Sequence, residues 1–260
     1  IDEIRLLEQA LHQTKNGHPS NFLVTGERGI GKSSLMMILK DFSSGAFDSF
    51  DHGKFNFLTI NGVISERMDL ITLIKLIDRN IKRELGKEEA IRKFMNSTWE
   101  FVQRIRVMDS GIEKNSIVED SDLIINDFAY SLAETCKRIV NPEKGEEKKD
   151  GIIFIIDEAD NACDDLHVGY FFKVVTELLQ QNGCYNVMFV VVGLPDITEK
   201  LARSHESSLR IFSHIKVKVL KTDDRFYVID RGIEEGNRLN PEKTTISEAA
   251  KRHISTLSEG

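Results

Sequence analysis

The sequence predicts an α/β fold, a parallel sheet flanked by helices, with a phosphate-binding loop directly after one strand. Three observations predict it. Gly26-Glu27-Arg28-Gly29-Ile30-Gly31-Lys32-Ser33 matches the pattern G-x-x-x-x-G-K-[ST]. It lies between the apolar run Asn21-Phe22-Leu23-Val24-Thr25 and a helical pattern over residues 34–40, the strand-loop-helix context that such a loop requires. Ile152-Ile153-Phe154-Ile155-Ile156 is apolar without alternation, as a strand buried on both faces must be, and it ends in Asp157-Glu158. A further apolar run over 186–193 reads as another buried strand.

The chain has 260 residues, 40% apolar and 30% charged, enough for one large α/β domain or one domain with the start of a second. A net charge of −7 and a pI near 5.6 give no whole-chain pull toward nucleic acid, although a local basic patch stays open. Cys136, Cys163 and Cys184 are widely spaced, lack a C-x-x-C pair and sit in or beside apolar patterns. They read as reduced thiols, and the compartment as cytoplasmic. No run of 18 apolar residues occurs, so no membrane span is expected, and the first residues lack signal-peptide architecture. Because it starts at Ile1 rather than Met, the chain is expected to be a piece of a longer protein.

Taken in order, Ile4, Leu6, Leu7, Ala10 and Leu11 form a helical stripe over 2–14, ended by Asn16-Gly17 and Pro19. After the loop helix, Ser43-Ser44-Gly45 and Asp51-His52-Gly53 mark a connection, and Phe55-Asn56-Phe57-Leu58-Thr59-Ile60-Asn61 reads as the second strand. Leu70, Leu73, Ile74, Ile77 and Ile81 share one helix face. Residues 84–120 carry Phe94, Trp99, Phe101, Ile105 and Val107 among many charges, with a break at Asp109-Ser110-Gly111. They are expected to be a variable, partly helical insertion, either decoration over one face or a partner-binding element.

Ile125, Phe128, Ala129, Leu132, Cys136 and Ile139 make a long helix stopped by Asn141-Pro142, and 143–150 reads as a solvated charged loop. Val168, Phe171, Phe172, Val175, Leu178 and Leu179 make the next core helix, with Gly183 at its C-cap position. Pro195 opens a short helix to Ala202. Ile215-Lys216-Val217-Lys218-Val219-Leu220 alternates apolar and basic, which predicts an edge strand with its lysines outward. Helical patterns over 224–237 and 246–257 close the chain.

The chemistry follows from residue types. Gly26, Gly29 and Gly31 let the backbone turn its N–H groups toward phosphate oxygens at the positive end of a helix dipole, so Gly26, Glu27, Arg28, Gly29, Ile30, Gly31, Lys32, Ser33 and Ser34 form the expected phosphate cradle. Lys32 would reach the β- and γ-phosphates and the Ser33 hydroxyl would ligate Mg²⁺. Asp157 would hold Mg²⁺, directly or through water, and Glu158 would polarise the attacking water as general base. Asp157-Glu158-Ala159-Asp160 spells a helicase box, but the other helicase motifs are not visible. His167, His205 and His214 have no ligand spacing with the cysteines, so no metal beyond Mg²⁺ is expected.

With both motifs placed, the chain resembles the AAA+ P-loop ATPases, in the branch near the origin-recognition and Cdc6-type proteins, the transposition ATPases and the STAND signalling ATPases. Besides the P-loop, the likeness runs through Asp2-Glu3-Ile4-Arg5-Leu6-Leu7, Ile155-Ile156-Asp157-Glu158-Ala159, Val191-Val192-Gly193-Leu194-Pro195, Ser208-Leu209-Arg210-Ile211-Phe212 and Leu257-Ser258-Glu259-Gly260. The resemblance implies a five-stranded parallel sheet flanked by helices with the P-loop strand central. It implies a nucleotide-binding core over 1–221 and the start of a helical lid over 222–260, cut before the lid's sensor arginine. It also implies that an arginine between the fourth and last strands serves the γ-phosphate of a neighbouring subunit, Arg210 first and Arg203 as the alternative. One departure stands out: many members end the fourth strand with Asn, Ser or Thr as a γ-phosphate sensor, and Val192-Gly193-Leu194-Pro195 offers none.

The function so implied is a Mg²⁺-dependent ATPase acting as an oligomerising switch or motor, with ATP as its nucleotide and unidentified protein partners or fused effector domains. Two alternatives stay open. One is a DNA-loading ATPase of the origin-recognition or transposition type, for which Lys216, Lys218 and Lys221 would meet phosphates, although the same lysines also suit a solvated edge. The other is a nucleotide-gated scaffold with little hydrolysis, against which Glu158 argues.

Overall fold

The structure, a computed structural model, describes residues 2–86, 89–109 and 121–258. Five strands, β1 (Asn21–Thr25), β2 (Leu58–Val63), β3 (Ile152–Asp157), β4 (Val187–Gly193) and β5 (Phe212–Lys216), form one sheet in the order β2-β3-β4-β1-β5. Every pairing is parallel. The expected five-stranded parallel sheet is therefore present. Its centre is β4, however, and β1, which leads into the P-loop, lies between β4 and the edge strand β5. Position follows burial: β4 is buried at all seven positions and β1 at all five, whereas the edges β2 and β5 are covered only in part.

Two strands sit about three residues from their predicted places. Phe55 and Phe57 are buried, but their segment is tied by loop bonds, Phe57 N–H to Ser43 O (2.8 Å) and Asn56 N–H to Asp150 Oδ2 (2.8 Å). The ladder to β3 begins only at Leu58. At the opposite edge, β5 pairs from Asn21↔Phe212 to Thr25↔Lys216, not over 215–220. β1 is five residues long, because it must end at the P-loop, and its neighbour can pair no further. The predicted strand of alternating lysines is thus not formed: only Lys216 belongs to it.

The helices α1 (Asp2–Lys15), α2 (Lys32–Ser43), α3 (Leu70–Leu85), α4 (Glu89–Thr98), α5 (Glu100–Asp109), α6 (Ser121–Val140), α7 (Val168–Gln181) and α8 (Ile197–Ser204) complete the first compact unit, which runs to Lys216 without Glu27–Ile30. Gly17 and Gly183 end α1 and α7 in the left-handed region, at φ 82° and 67°. After α7 the bonds are Cys184 N–H to Leu179 O and Gly183 N–H to Gln180 O, both 2.9 Å. That pair is a Schellman closure, with Asn182 as the cap and Gly183 one residue beyond it, not at the cap itself. Asp69 starts α3 by accepting the Thr72 N–H at 2.7 Å.

The segment read as decoration is part of the core where it is described. Ile91, Met95, Trp99, Phe101, Val102 and Ile105 are buried in the main hydrophobic cluster. Trp99 is fully buried, its Nε1–H donates to Thr135 Oγ1 on α6 at 2.9 Å, and its ring meets Phe128 edge-on. Of the expected break, Ser110 and Gly111 lie outside the described residues, as do Glu259 and Gly260 at the end of the chain.

A second compact unit contains Glu27–Ile30 and the chain from Val217 onward. Its helices are α9 (Thr222–Leu239) and α10 (Glu248–Leu257). Arg225 Nη1 donates to Ser255 O (2.7 Å), Lys251 pairs with Asp230 (2.5 Å), and Ser247 caps α10 through the Ala250 N–H. No residue of α9 is buried.

Candidate nucleotide site

Parallel order puts the carboxyl ends of β1, β3 and β4 on one rim. Thr25 pairs with Gly193 across the β1–β4 ladder and Ile156 with Val191 across β3–β4, so Gly26 and Asp157 leave the sheet on the same side. That rim is where open parallel sheets hold ligands. Gly26 is the first residue past β1, and α2 starts at Lys32 with Gly31 as its N-cap at φ 102°. Gly29 is also left-handed, at φ 77°. A Cβ built on Gly29 or Gly31 would meet no atom of the described residues within 4 Å, yet any L side chain there would be strained. The glycines therefore answer a backbone demand of the loop itself. Lys32 Nζ donates to Gly26 O at 2.6 Å, folding the ammonium back over the loop's first residue. Ser33 and Ser34 are exposed in the first turn of α2.

Asp157 is the last residue of β3 and is half-buried. Its Oδ1 accepts the Glu158 N–H at 2.8 Å, while its Oδ2 takes no hydrogen bond among the described residues. Glu158 is exposed and left-handed, φ 53° and ψ 35°, an unusual conformation for a residue with a Cβ. A 3₁₀ turn, Ala159–Asn161, follows at once. Hard oxygen donors, the Ser33 hydroxyl and the Asp157 carboxylate, are what Mg²⁺ takes, usually in small number beside water and substrate phosphates. Among the described residues no cluster of three or more His, Cys, Asp or Glu side chains could hold another metal ion.

The strand end without a sensor side chain has its own explanation. Asp160 Oδ1 accepts the Leu194 N–H at 2.8 Å, and a Cβ on Gly193 would stand 2.8 Å from that oxygen. Glycine at 193 leaves room for the Asp160 carboxylate against the end of β4. Lys200 of α8 donates from Nζ to Asp160 O and to Ala162 O, the latter at 3.1 Å. Asn161 Nδ2 donates to Glu158 Oε2 (3.2 Å) and to Ile64 O (3.3 Å). Asp160, Asn161 and Lys200 were not singled out as site residues from sequence, and no spacing marks them. A small residue after an apolar strand was the one available signal, at Gly193.

On the neighbouring edge, Thr25 Oγ1 lies 2.7 Å from His214 Nε2. Although His214 is largely exposed, partial desolvation of its ring, aided by the charge of Lys216, lowers the imidazole pKa below its ordinary value. Of the two candidate arginines, Arg203 lines a cavity with Ala162, Cys163 and Asp164, just beyond the turn that follows β3. Arg203 is exposed on α8 and pairs with Glu199 at 3.1 Å, both ends solvated. Arg210 is exposed in the 3₁₀ turn Ser208–Ile211, just before β5, at the amino end of the sheet. It borders a cavity of about 350 Å³ floored by Leu179, Val187, Phe189 and Phe212.

A parallel sheet ordered in this way, with a glycine loop opening a helix beside an acidic strand end, defines the class of P-loop nucleoside-triphosphate-binding folds. Residues 2–168 match the AAA ATPase domain, and the chain belongs to that family. Comparison with curated protein sequences finds no match. Among solved structures, the ORC2 protein of Aeropyrum pernix, in ADPNP–ADP complexes, is 14% identical with a TM-score of 0.54, over 99% of this chain and 55% of its own. Cdc6p of Pyrobaculum aerophilum is 15% identical with a TM-score of 0.52, over 98% of this chain and 53% of its own. At such identities the likeness is one of fold. The chain spans a little over half the length of either protein.

Proposed function

We propose that this chain binds ATP with Mg²⁺ at the carboxyl rim of β1 and β3 and hydrolyses it, as a switch or motor that works beside copies of itself. One observation carries the reading: parallel register sets the start of the P-loop and the Asp157-Glu158 pair on one rim, across β4. The backbone N–H groups of the loop and the start of α2 would hold the phosphates, aided by the helix dipole. Lys32 would leave the Gly26 carbonyl for the β- and γ-phosphates. Ser33 and Asp157 would hold Mg²⁺, which would neutralise negative charge on the phosphates. Glu158, exposed at the tip of β3, would take the proton of the attacking water. Glu158 also favours hydrolysis over the scaffold alternative.

Arg210 is proposed as the arginine offered to a neighbouring subunit. Its place at the amino end of β5 lies opposite its own P-loop rim, which agrees with service in trans. Arg203, engaged with Glu199, is the weaker choice. The DNA-loading alternative rests on Lys216, Lys218 and Lys221, all exposed, of which Lys216 ends β5 and the other two follow it. Calorimetric titration with ATP in the presence and absence of Mg²⁺ tests the site. Saturable binding that Lys32→Ala abolishes, at unchanged circular dichroism, is the expected result. Equal affinity in the variant would remove the loop from the proposal.

A further inference from the structure

We infer that Asn161 is a positioning residue for Glu158: its carboxamide ties the carboxylate of the proposed general base to the backbone where β2 ends. The inference rests on the hydrolytic reading above and names a residue through which that chemistry is set. Its observation is one nitrogen with two acceptors, Glu158 Oε2 at 3.2 Å and the Ile64 carbonyl at 3.3 Å. A carboxamide nitrogen has two N–H groups, so both bonds form at once. Ile64 is fully buried, follows β2 directly, and donates its own N–H to Asp157 O at 3.0 Å. The anchor for Asn161 is therefore itself bonded to the end of β3.

Glu158 needs such an anchor. It is exposed, its backbone is left-handed, and a free glutamate side chain at a strand tip samples several rotamers. A general base must hold its oxygen within hydrogen-bond reach of one water, and small misplacements cost large factors in rate. The turn after Glu158 is held on both sides. Toward β4 and α8, Asp160 accepts from Leu194 N–H and Lys200 donates to Ala162 O. Toward β2, Asn161 does the holding, and of these groups only Asn161 touches the Glu158 carboxylate. Oε2 is taken by Asn161, while Oε1 takes no hydrogen bond among the described residues and is left for water. The geometry also joins the catalytic tip to the segment between β2 and α3, since Ile64 opens that connection.

A double-mutant cycle tests this. Asn161→Ala is expected to lower kcat by about 10- to 100-fold with KM for ATP unchanged, the mark of lost orientation and not lost binding. Asn161→Asp, of the same shape, sets a carboxylate against Glu158 and is expected to be slower still. In a Glu158→Gln background neither substitution changes the residual single-turnover rate, because there is no base left to orient. Asn161→Gln keeps the carboxamide on a longer stem and falls between wild type and alanine, which keeps the test decisive if the alanine variant melts early. If Asn161→Ala lowers the rate by the same factor in both backgrounds, or raises KM alone, the positioning role is overturned and the hydrolytic reading survives. Absence of turnover in the wild-type protein overturns both.

Discussion

At the level of single residues, the proposed site divides into groups that would bind and groups that would react, and substitution separates them. Lys32 donates to the Gly26 carbonyl and is no member of the main hydrophobic cluster, so Lys32→Ala is expected to remove nucleotide affinity without unfolding. Glu158→Gln keeps ATP bound and is expected to slow hydrolysis by about 10²–10⁴-fold, the usual share of a positioned base; rapid-quench single turnover measures it. A variant as fast as wild type would reduce the acidic pair to a solvated strand end. Gly193 makes a different prediction, because its space belongs to Asp160. The Cβ of Gly193→Ala would lie 2.8 Å from Asp160 Oδ1 and 3.1 Å from its backbone nitrogen. Stability is expected to fall by about 1–3 kcal/mol in urea titrations, and kcat with it as the turn after Glu158 shifts. An unchanged melting curve would show that the carboxylate does not need that place.

Among the elements, the insertion gives the sharpest energetic test. Trp99 is fully buried between α4 and α5 and is bonded to Thr135, so Trp99→Ala is expected to cost about 3–5 kcal/mol by chemical denaturation. A loss under about 1 kcal/mol would return the segment to decoration. Edge strand β5 gives a pH test. The folded His214 resists protonation, so between its ordinary value and the lower folded one the unfolded chain binds more protons. Its share of stability is present above about pH 6.5 and is lost as pH falls, and His214→Gln should flatten that part of the profile. The same elements show what the sequence could display. β1, β3 and β4 were legible because burial on both faces demands an uninterrupted apolar run. β2 and β5 were displaced because their limits come from partners: Asp150 and Ser43 hold Phe55–Phe57 off the ladder, and the short β1 stops β5 at Lys216. In the site, Gly26 to Ser33 and Asp157-Glu158 were legible as contiguous patterns. Asp160 and Lys200 make contacts 34 and 40 residues away in the chain, and Asn161 joins its near neighbour Glu158 to a carbonyl 97 residues away; no local pattern encodes those distant contacts.

For the whole molecule, the proposed assembly rests on Arg210 standing at the end of the sheet opposite the P-loop rim. A guanidinium supplied in trans is worth roughly 10³–10⁵-fold where it operates, so activity per molecule should rise with protein concentration. Mixing Arg210→Ala with Glu158→Gln protein should restore part of the rate that each lacks alone. Activity independent of concentration, with no recovery on mixing, would remove Arg210 from the site and leave a site complete in one chain. Beneath that lies the central claim, that ATP is hydrolysed at the rim where β1 and β3 end. Phosphate release from purified protein with ATP and Mg²⁺, beside Lys32→Ala and Glu158→Gln, tests it most directly. The account predicts Mg²⁺-dependent turnover by the wild type, loss of both binding and turnover in Lys32→Ala, and retained binding without turnover in Glu158→Gln. Wild-type turnover that survives either substitution would contradict it.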